Sequence, residues 1–304
     1  MRVLVTGIGG FIGSKVSQRL LSEGYSVYGV DDFSTGKIEN VPEGIEVLAH
    51  DLSDKAIIAK LPPKINIILH LAGQSSGEKS FDDPLRDMDC NVSSTLNLIR
   101  YGIQHKVERI IYASSMSVYG PTANTPIDET HQCSPLSCYG VGKLSAEAYL
   151  KVFQAQLPFV AFRIFNVYGP GQNLADLRQG MVSIFLAQAL KDGNVTVKGS
   201  LERFRDFIYI DDVVEAWVRA MTSHEAKNKI INLGTGRQTI VQELLQQFKT
   251  HIPNTTWNVK GSTPGDQNGV FANNSLLKDV LKMNKFTSLE DGLKIFADSS
   301  KQAK

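Results

Sequence analysis

The two residues best suited to proton transfer are Tyr139 and Lys143, which lie four positions apart in a segment with helical character. Residues four apart share one face of a helix, so the phenol and the ammonium would point the same way. A free phenol has a pKa of about 10, and a nearby positive charge lowers it by favouring the phenolate. Ser115 ends an apolar run upstream, where its hydroxyl could hold a substrate hydroxyl in line with the phenol. Together the three residues predict a phenolate base, although nine tyrosines could produce one such spacing by accident.

A glycine-rich segment at the start of the chain, VLVTGIGGFIG, has the pattern of a dinucleotide site. An apolar run at 3–5 precedes three glycines at three-residue spacing, Gly7, Gly10 and Gly13. Apolar residues then recur at helical period, beginning with Phe11 and Ile12. Glycine lets the backbone approach a pyrophosphate, and the N-terminus of the following helix offers free N–H groups. A glycine-rich turn without a ligand is the alternative, because the spacing differs from the commoner GxGxxG.

A carboxylate follows at the expected distance from this turn. The next apolar run, at 27–30, ends in Asp31, which is 31 − 13 = 18 residues past the third glycine. A carboxylate near this spacing bonds the adenosine ribose of a dinucleotide. It favours NAD over NADP because it bonds the 2′-hydroxyl and repels a 2′-phosphate. Lys37, in the loop that follows, argues in the opposite direction.

The elements that must position these residues alternate along the first half of the chain. Apolar runs predict strands near 3–5, 27–30, 45–49, 65–71, 109–113 and 159–165, and helical patterns lie near 11–21, 53–61, 84–104 and 136–155. This alternation predicts an α/β fold with a Rossmann-like, doubly wound parallel sheet. Right-handed crossovers would then place the carboxyl ends of the strands, and the ligand, along one edge.

The second half of the chain has shorter elements. We predict a turn at 167–171, a helix at 180–190, strands at 195–197, 204–210 and 230–233, and a helix at 240–248. Asp211 is predicted to be the N-cap of a helix that ends at Met221. This organisation predicts an NAD-binding domain over 1–175 and a smaller C-terminal substrate-binding lobe over 176–304. The chain is expected to return to the first domain near 206–235.

Composition excludes several classes of protein. The 304 residues carry a net charge of +1 without a basic stripe, which argues against nucleic acid as a partner. The three cysteines fit a reducing compartment, and the cysteines and histidines lack metal-ligand spacing. No apolar run reaches the length of a membrane span, and the chain begins its first strand at once, so we expect no signal peptide. The expectation is a cytoplasmic protein without a metal or a membrane partner.

Six motifs in order, TGIGGFIG, SSMSVYG, YGVGK, RIFNVYGPG, RDFIYIDD and NLGTG, resemble the extended short-chain dehydrogenase/reductases that act on nucleotide sugars. The chain is most similar to the UDP-glucose/UDP-galactose 4-epimerases, over about Met1 to Ala297. The resemblance implies that carbon 4 of a nucleotide sugar gives a hydride to bound NAD while Tyr139 takes the hydroxyl proton. The keto-sugar would then turn and receive the hydride on its other face. The resemblance also implies a homodimer, in which the helix containing Tyr139 and the helix near 91–104 pair across a two-fold axis into a four-helix bundle.

The resemblance assigns roles by position. It implies a catalytic group of Ser115, Tyr139 and Lys143. The cofactor-binding residues would be Gly7, Gly10, Phe11, Ile12, Gly13, Asp31, Asp51, Leu52, Leu71, Ala72, Gly73, Asn91, Tyr139 and Lys143. The substrate-binding residues would be Ser115, Asn166, Arg205, Asp266 and Val270, with Val270 gating the 2-substituent of the sugar.

Two departures from the family pattern bear on the function. Thr263 stands where many relatives carry an arginine, so diphosphate binding would rest on Arg205 alone or on a basic residue that the sequence does not identify. Met116 and Ser117 stand where 4,6-dehydratases carry an acidic pair, which weighs against elimination of water. The alternatives are a nucleotide-sugar ketoreductase or 4,6-dehydratase on the same scaffold and a non-catalytic NAD-binding protein.

Overall fold

The computed structural model describes residues 1–122, 126–262 and 269–302. Its strands are β1 (Arg2–Thr6), β2 (Ser26–Asp31), β3 (Glu46–Ala49), β4 (Ile67–His70), β5 (Arg109–Ser115), β6 (Phe159–Ile164), β7 (Asn166–Tyr168), β8 (Asn194–Val197), β9 (Phe204–Arg205), β10 (Phe207–Tyr209), β11 (Lys229–Leu233), β12 (Thr239–Ile240), β13 (Thr256–Val259) and β14 (Gly269–Val270). Its helices are α1 (Phe11–Ser22), α2 (Ile57–Lys60), α3 (Pro84–Met88), α4 (Ser94–Gln104), α5 (Cys138–Phe153), α6 (Met181–Asp192), α7 (Ile210–Thr222), α8 (Val241–His251), α9 (Ser275–Leu281) and α10 (Leu289–Gln302). A π-helical segment, Asp89–Ser93, joins α3 to α4.

A seven-stranded sheet in the order β11-β6-β5-β4-β1-β2-β3 forms the centre of the molecule. All of its neighbouring strands pair in parallel. Its inner strands are almost wholly buried and apolar, as expected when helices cover both faces of a parallel sheet. Alternate residues of β1 enter different cores, Val3 and Val5 on one face and Leu4 on the other. The predicted doubly wound sheet is therefore present.

The second half of the chain adds smaller sheets to this frame. Strands β9, β12 and β14 form a three-stranded sheet, β7 pairs with β10, and β8 pairs with β13. Strand β11 instead extends the large sheet beside β6, and α7 packs against α1. Within the described residues, we find no helix whose length and apolar character would allow it to span a membrane.

Three expectations for the second half are wrong in detail. Residues 166–168 form strand β7 and not a turn, because they pair with β10, and the turn begins only at Gly169. The single strand predicted at 204–210 is two strands in different sheets, β9 and β10. Helix α7 begins at Ile210, so Asp211 lies inside its first turn and not at the N-cap. A carboxylate there still interacts favourably with the helix dipole.

Candidate active site

The glycine turn between β1 and α1 has no space for a side chain at Gly7, and the first turn of α1 has none at Gly13. Gly7 has φ +68°, and its N–H donates to the Val30 carbonyl at 2.8 Å. A Cβ on Gly7 would lie 2.8 Å from the backbone nitrogen of Ala72, and one on Gly13 would lie 2.1 Å from the Gly7 carbonyl oxygen. Gly10 is the N-cap of α1 and supplies no side chain to the N–H groups of the first turn. These groups can therefore receive an anion such as a pyrophosphate.

Asp31 lies at the carboxyl end of β2, beside this turn. Its Oδ2 accepts from the Gly9 N–H at 2.9 Å and its Oδ1 from the Phe33 N–H at 2.8 Å. Burial raises its pKa, while these backbone donors act in the opposite direction. An ionised carboxylate offers about four acceptor positions. Asp31 can therefore also accept hydrogen bonds from a ribose.

A charged cluster borders the carboxyl end of β3. Arg86 of α3 donates to Asp51 at 2.6 Å and to Asp32 at 2.9 Å. Asp51 also accepts from the backbone and the hydroxyl of Ser53. The side chain of Leu52 is buried beside this cluster. Asp51 and Leu52 thus lie on the same edge of the sheet as Asp31.

The segment after β4 connects the glycine turn to Lys143. The N–H groups of Leu71 and Ala72 donate to Thr6 Oγ1 at 3.2 and 3.1 Å. Gly73 follows with φ +153°. A Cβ on Gly73 would lie 2.5 Å from Asn91 Oδ1 and 3.3 Å from Lys143 Nζ. Asn91 and Lys143 therefore converge on one point of this backbone.

Ser115, Tyr139 and Lys143 meet at the carboxyl end of β5. Ser115 is the last residue of this strand, and Tyr139 and Lys143 lie on the first turns of α5, which Ser137 caps. A Cβ on Gly140 would lie 2.6 Å from the Ser117 carbonyl oxygen, so α5 begins directly against the turn that follows Ser115. The Ser115 hydroxyl donates to Ser117 Oγ at 3.2 Å, and it is close enough to the Tyr139 phenol to favour the phenolate. The Lys143 ammonium lies 5.6 Å from the centre of the Tyr139 ring.

Burial dominates the electrostatics of this group. It raises the pKa of Tyr139 to about 12, and the hydrogen bond from Ser115 only partly offsets that effect. Burial also lowers the pKa of Lys143 to about 8. The sequence argument expected the Tyr139 pKa to fall below its ordinary value. The structure gives the opposite direction because desolvation of a wholly buried phenol disfavours its ionised form.

Asn166, Arg205 and Val270, three of the predicted substrate-binding residues, lie on elements of the second half of the chain. The Asn166 amide donates to the Asp206 carbonyl at 3.0 Å, and its nitrogen lies 3.6 Å from Met116 Sδ. Arg205 and Val270 are register neighbours on β9 and β14. Val270 is buried in a small apolar cluster against which Met116 also packs. Asp266 and Thr263 lie outside the described residues.

Buried polar residues that the sequence analysis missed support this arrangement. Asp206 is fully buried and accepts hydrogen bonds from Thr235, Gly236 and Ala272, which fixes the segment that follows β14 relative to β9. It lies in the RDFIYIDD motif, but nothing in the spacing identifies its partners. His70 bonds Thr6 and Thr95 through its two ring nitrogens, and burial lowers its pKa to about 3.

A buried ion pair fixes α5 against the sheet. Glu147 accepts from Arg163 of β6 at 3.0 and 2.8 Å and from the Ser114 hydroxyl at 2.5 Å. Both partners of the pair are almost inaccessible to solvent. Because Ser114 precedes Ser115 and Glu147 follows Lys143 by one helical turn, the pair sets the distance between serine and lysine. Among the described residues, no cluster of histidine, cysteine or acidic side chains could hold a metal ion.

A Rossmann-type sheet, a turn rich in glycine before the first helix, and a serine, tyrosine and lysine at one edge define the class of nicotinamide-dependent short-chain dehydrogenase/reductases. Within this class, the chain belongs to the NAD dependent epimerase/dehydratase family, whose profile matches residues 3–234.

Individual relatives agree with this membership. UDP-glucose 4-epimerase from Mycolicibacterium smegmatis is 36% identical over 256 residues, which cover 80% of each chain. The structure of UDP-glucose 4-epimerase from Thermotoga maritima with UDP-glucose superposes with a TM-score of 0.95 at 33% identity, covering 100% of this chain and 99% of that one. The Thermus thermophilus UDP-glucose 4-epimerase complex with NAD superposes with a TM-score of 0.90 at 31% identity, covering both chains fully. The predicted fold, NAD as the cofactor, and an NAD-dependent nucleotide-sugar epimerase are thereby confirmed.

Proposed function

We propose that this enzyme interconverts the configuration at carbon 4 of a UDP-sugar, with Tyr139 as the base. The observation that carries the proposal is the convergence of Ser115, Tyr139 and Lys143 at the carboxyl end of β5, with the Lys143 ammonium beside Gly73. A ligand held at the glycine turn would extend along Gly73 towards the phenol. NAD supplies the acceptor and donor of the hydride when it is bound.

The three side chains then divide the proton chemistry among them. Ser115 holds the 4-hydroxyl in line with the phenol, and Tyr139 takes its proton and later returns it. The pKa of Tyr139, about 12 as the protein stands, must fall for this step. Lys143 provides a positive charge that favours the phenolate. Its burial beside Asn91 keeps water away from the ammonium.

The cofactor site follows from the contacts described above. The free N–H groups of α1, including those of Phe11 and Ile12, would hold the pyrophosphate. Asp31 would bond the adenosine ribose, and Asp51 and Leu52 would border the adenine. The nicotinamide half would lie along the remaining residues of the set: Leu71, Ala72, Gly73, Asn91, Tyr139 and Lys143.

The sugar nucleotide would occupy the opposite side of Ser115. Asn166 and Arg205 would hold the diphosphate, and Asp266 would meet the nucleoside ribose. Val270 is the register partner of Arg205. It belongs to the apolar cluster against which Met116 packs. An apolar residue of medium size there neither fills the space nor bonds a 2-substituent. We therefore expect N-acetylhexosamines to be accepted along with hexoses.

We further propose a cytoplasmic homodimer. Helices α3 and α5 expose large apolar side chains to solvent, Leu85 at 72% and Val152 at 73%. Met88 and Val141 continue these exposed faces at helical spacing. Pairing of the two helices across a two-fold axis would cover both faces. The free thiols of the three cysteines suit a reducing compartment. The proposed role of the enzyme is to supply sugars for polysaccharide biosynthesis.

Residues 176–304 would form the smaller lobe, which would cover the sugar nucleotide. The chain returns to the cofactor domain within 206–235, where β11 joins the large sheet. The ketoreductase and 4,6-dehydratase alternatives share this architecture. The dehydratase is disfavoured because Met116 and Ser117, the two residues after Ser115, carry no acid that could assist elimination of water.

The test is to incubate the purified protein with UDP-glucose or UDP-galactose, without added cofactor, and to follow the sugar by NMR. Interconversion with neither net NADH formation nor loss of water supports the proposal. Consumption of nicotinamide would indicate the reductase, and a 4-keto-6-deoxy product would indicate the dehydratase. Tyr139→Phe should abolish turnover but bind NAD as the wild type does, because only the proton-accepting oxygen is lost. Near-native activity of this variant would exclude Tyr139 as the base.

A further inference from the structure

Asp87 is a buried acid on α3 that the proposed chemistry does not use. Its side chain is 1% exposed. Its Oδ1 accepts from Gln74 Nε2 at 2.7 Å and from Asn91 Nδ2 at 3.3 Å. No donor within the described residues reaches Oδ2, which lies 3.4 Å from the point where Gly142 would carry a Cβ. Because Gly142 immediately precedes Lys143, the unpartnered oxygen faces α5 at the level of the catalytic lysine.

The titratable groups around Asp87 come from four elements. Lys143 and Tyr139 lie on α5, Tyr112 on β5 and Cys90 on the π-helical segment. Burial is the largest influence on the pKa of Lys143, and the charge of Asp87, followed by Cys90, opposes it. The charge of Asp87 also raises the pKa values of Tyr139, Tyr112 and Cys90. His70 of β4, whose charge would act on Lys143, is neutral because burial lowers its pKa to about 3.

A buried ammonium loses its proton readily unless an opposite charge compensates it. Lys143 is 3% exposed, and its pKa of about 8 lies close to physiological pH. Removing the Asp87 charge would lower that pKa further, so that a larger fraction of the lysine would be a neutral amine near neutral pH. A neutral amine cannot stabilise a phenolate at Tyr139.

Asp87 also orders the side chains around the lysine. The Asn91 amide nitrogen, which donates to Asp87, also donates to the Gln74 carbonyl at 3.2 Å. This leaves Asn91 Oδ1 directed at Gly73, where Lys143 Nζ also points. The carboxylate and the Gln74 carbonyl thus fix the orientation of the Asn91 amide together.

We propose that Asp87 is a positioning residue of the epimerase: its carboxylate keeps Lys143 protonated and orients Asn91 towards Gly73. The inference rests on the proposed function, because it gives Asp87 an effect through Lys143 and Tyr139. It predicts that the two limbs of the pH–rate profile depend on a residue that touches neither substrate nor cofactor. The acid limb reports formation of the phenolate and the alkaline limb reports loss of the lysine proton.

The decisive variant is Asp87→Asn, which keeps the shape and one acceptor oxygen but removes the charge. Loss of a negative charge lowers the pKa values of both Tyr139 and Lys143. Both limbs of the kcat profile should therefore move to lower pH by about one unit. Because Tyr139 and Lys143 interact, the limbs give apparent pKa values of the pair and not of either residue alone. Asp87→Glu, which retains the charge, should keep the wild-type limbs even where kcat is reduced.

The control is Asp83→Asn, on the same helix. Asp83 is exposed and accepts from the Arg86 N–H at 3.0 Å, a bond that asparagine can also accept. The Asp83→Asn variant loses the same charge as Asp87→Asn, and we expect neither limb of its pH–rate profile to move. A lowered kcat for Asp87→Asn with both limbs unmoved would assign Asp87 a structural role only and overturn the proposal.

A second measurement does not depend on turnover. Ultraviolet titration of the tyrosinate band, taken as the difference between each protein and its Tyr139→Phe counterpart, follows the phenol directly. The midpoint should be about one unit lower in Asp87→Asn than in the wild type. Asp87→Ser, which removes the charge with a smaller side chain, carries the same expectation if the asparagine variant does not fold. Equal midpoints would refute the role of Asp87, whereas an active Tyr139→Phe enzyme would refute the proposed base and leave this titration valid.

Discussion

Replacing Glu147 with alanine tests whether the buried ion pair fixes α5 to the sheet. The change removes both hydrogen bonds from Arg163 and the bond from Ser114. The Arg163 guanidinium would keep the Glu129 carbonyl at 3.2 Å and the Tyr119 ring, whose centre lies 4.7 Å away, but no carboxylate. An uncompensated charge would remain in the interior.

The magnitude follows from this geometry. Breaking a buried ion pair by removing one partner costs about 3–5 kcal/mol of unfolding free energy. For a chain of this size, each kcal/mol lowers Tm by roughly 2 °C, so we expect a fall of about 6–10 °C. The exposed pair of Arg19 and Glu23 on α1 provides a control. Glu23→Ala should cost less than about 1 kcal/mol and lower Tm by less than about 2 °C.

Calorimetry of both variants measures these shifts, and steady-state kinetics of Glu147→Ala measures the effect on the site. We expect kcat to fall, because Lys143 lies one helical turn before Glu147 and loses its fixed distance to Ser115. A Tm for Glu147→Ala within 2 °C of that of Glu23→Ala would refute the argument. It would mean that packing alone holds α5 against β6.

Three further predictions concern the ligands and the assembly. Calorimetric titration should show tighter binding of NAD than of NADP, because the buried Asp31 would repel a 2′-phosphate; comparable affinities would contradict this. Val270→Tyr should shift the ratio of turnover towards UDP-glucose and away from UDP-N-acetylglucosamine, and an unchanged ratio would mean that Val270 only packs. Light scattering should report a dimer at micromolar concentration, and Val152→Glu should weaken it by placing a charge in the apolar face of α5; a monomeric wild type would decide against the proposed interface.

Local patterns in the sequence were sufficient to predict the fold of the first half of the chain. Glycine is required at positions 7 and 13, because a Cβ would meet the backbone of Ala72 at the first and the Gly7 carbonyl oxygen at the second. The apolar runs predict buried parallel strands. Such strands are covered on both faces, so they are almost continuously hydrophobic and can be identified without knowing which strands they pair with. Tyr139 and Lys143 share a helix face by spacing alone. The family's profile and its relatives confirm what these patterns indicated.

Only the tertiary structure decided how short segments pair and which distant residues meet. Whether 166–168 is a strand or a turn depends on β10, some forty positions away, and three residues carry too little periodicity to show it. The direction of the Tyr139 pKa depends on burial by the whole fold, which no local spacing contains. Asp87 stands fifty-six positions before Lys143, and Arg163 lies on a strand of the sheet whereas Glu147 lies on a helix that packs against it. Their charges act on one another because folding brings them together out of water, where the attraction between charges becomes strong.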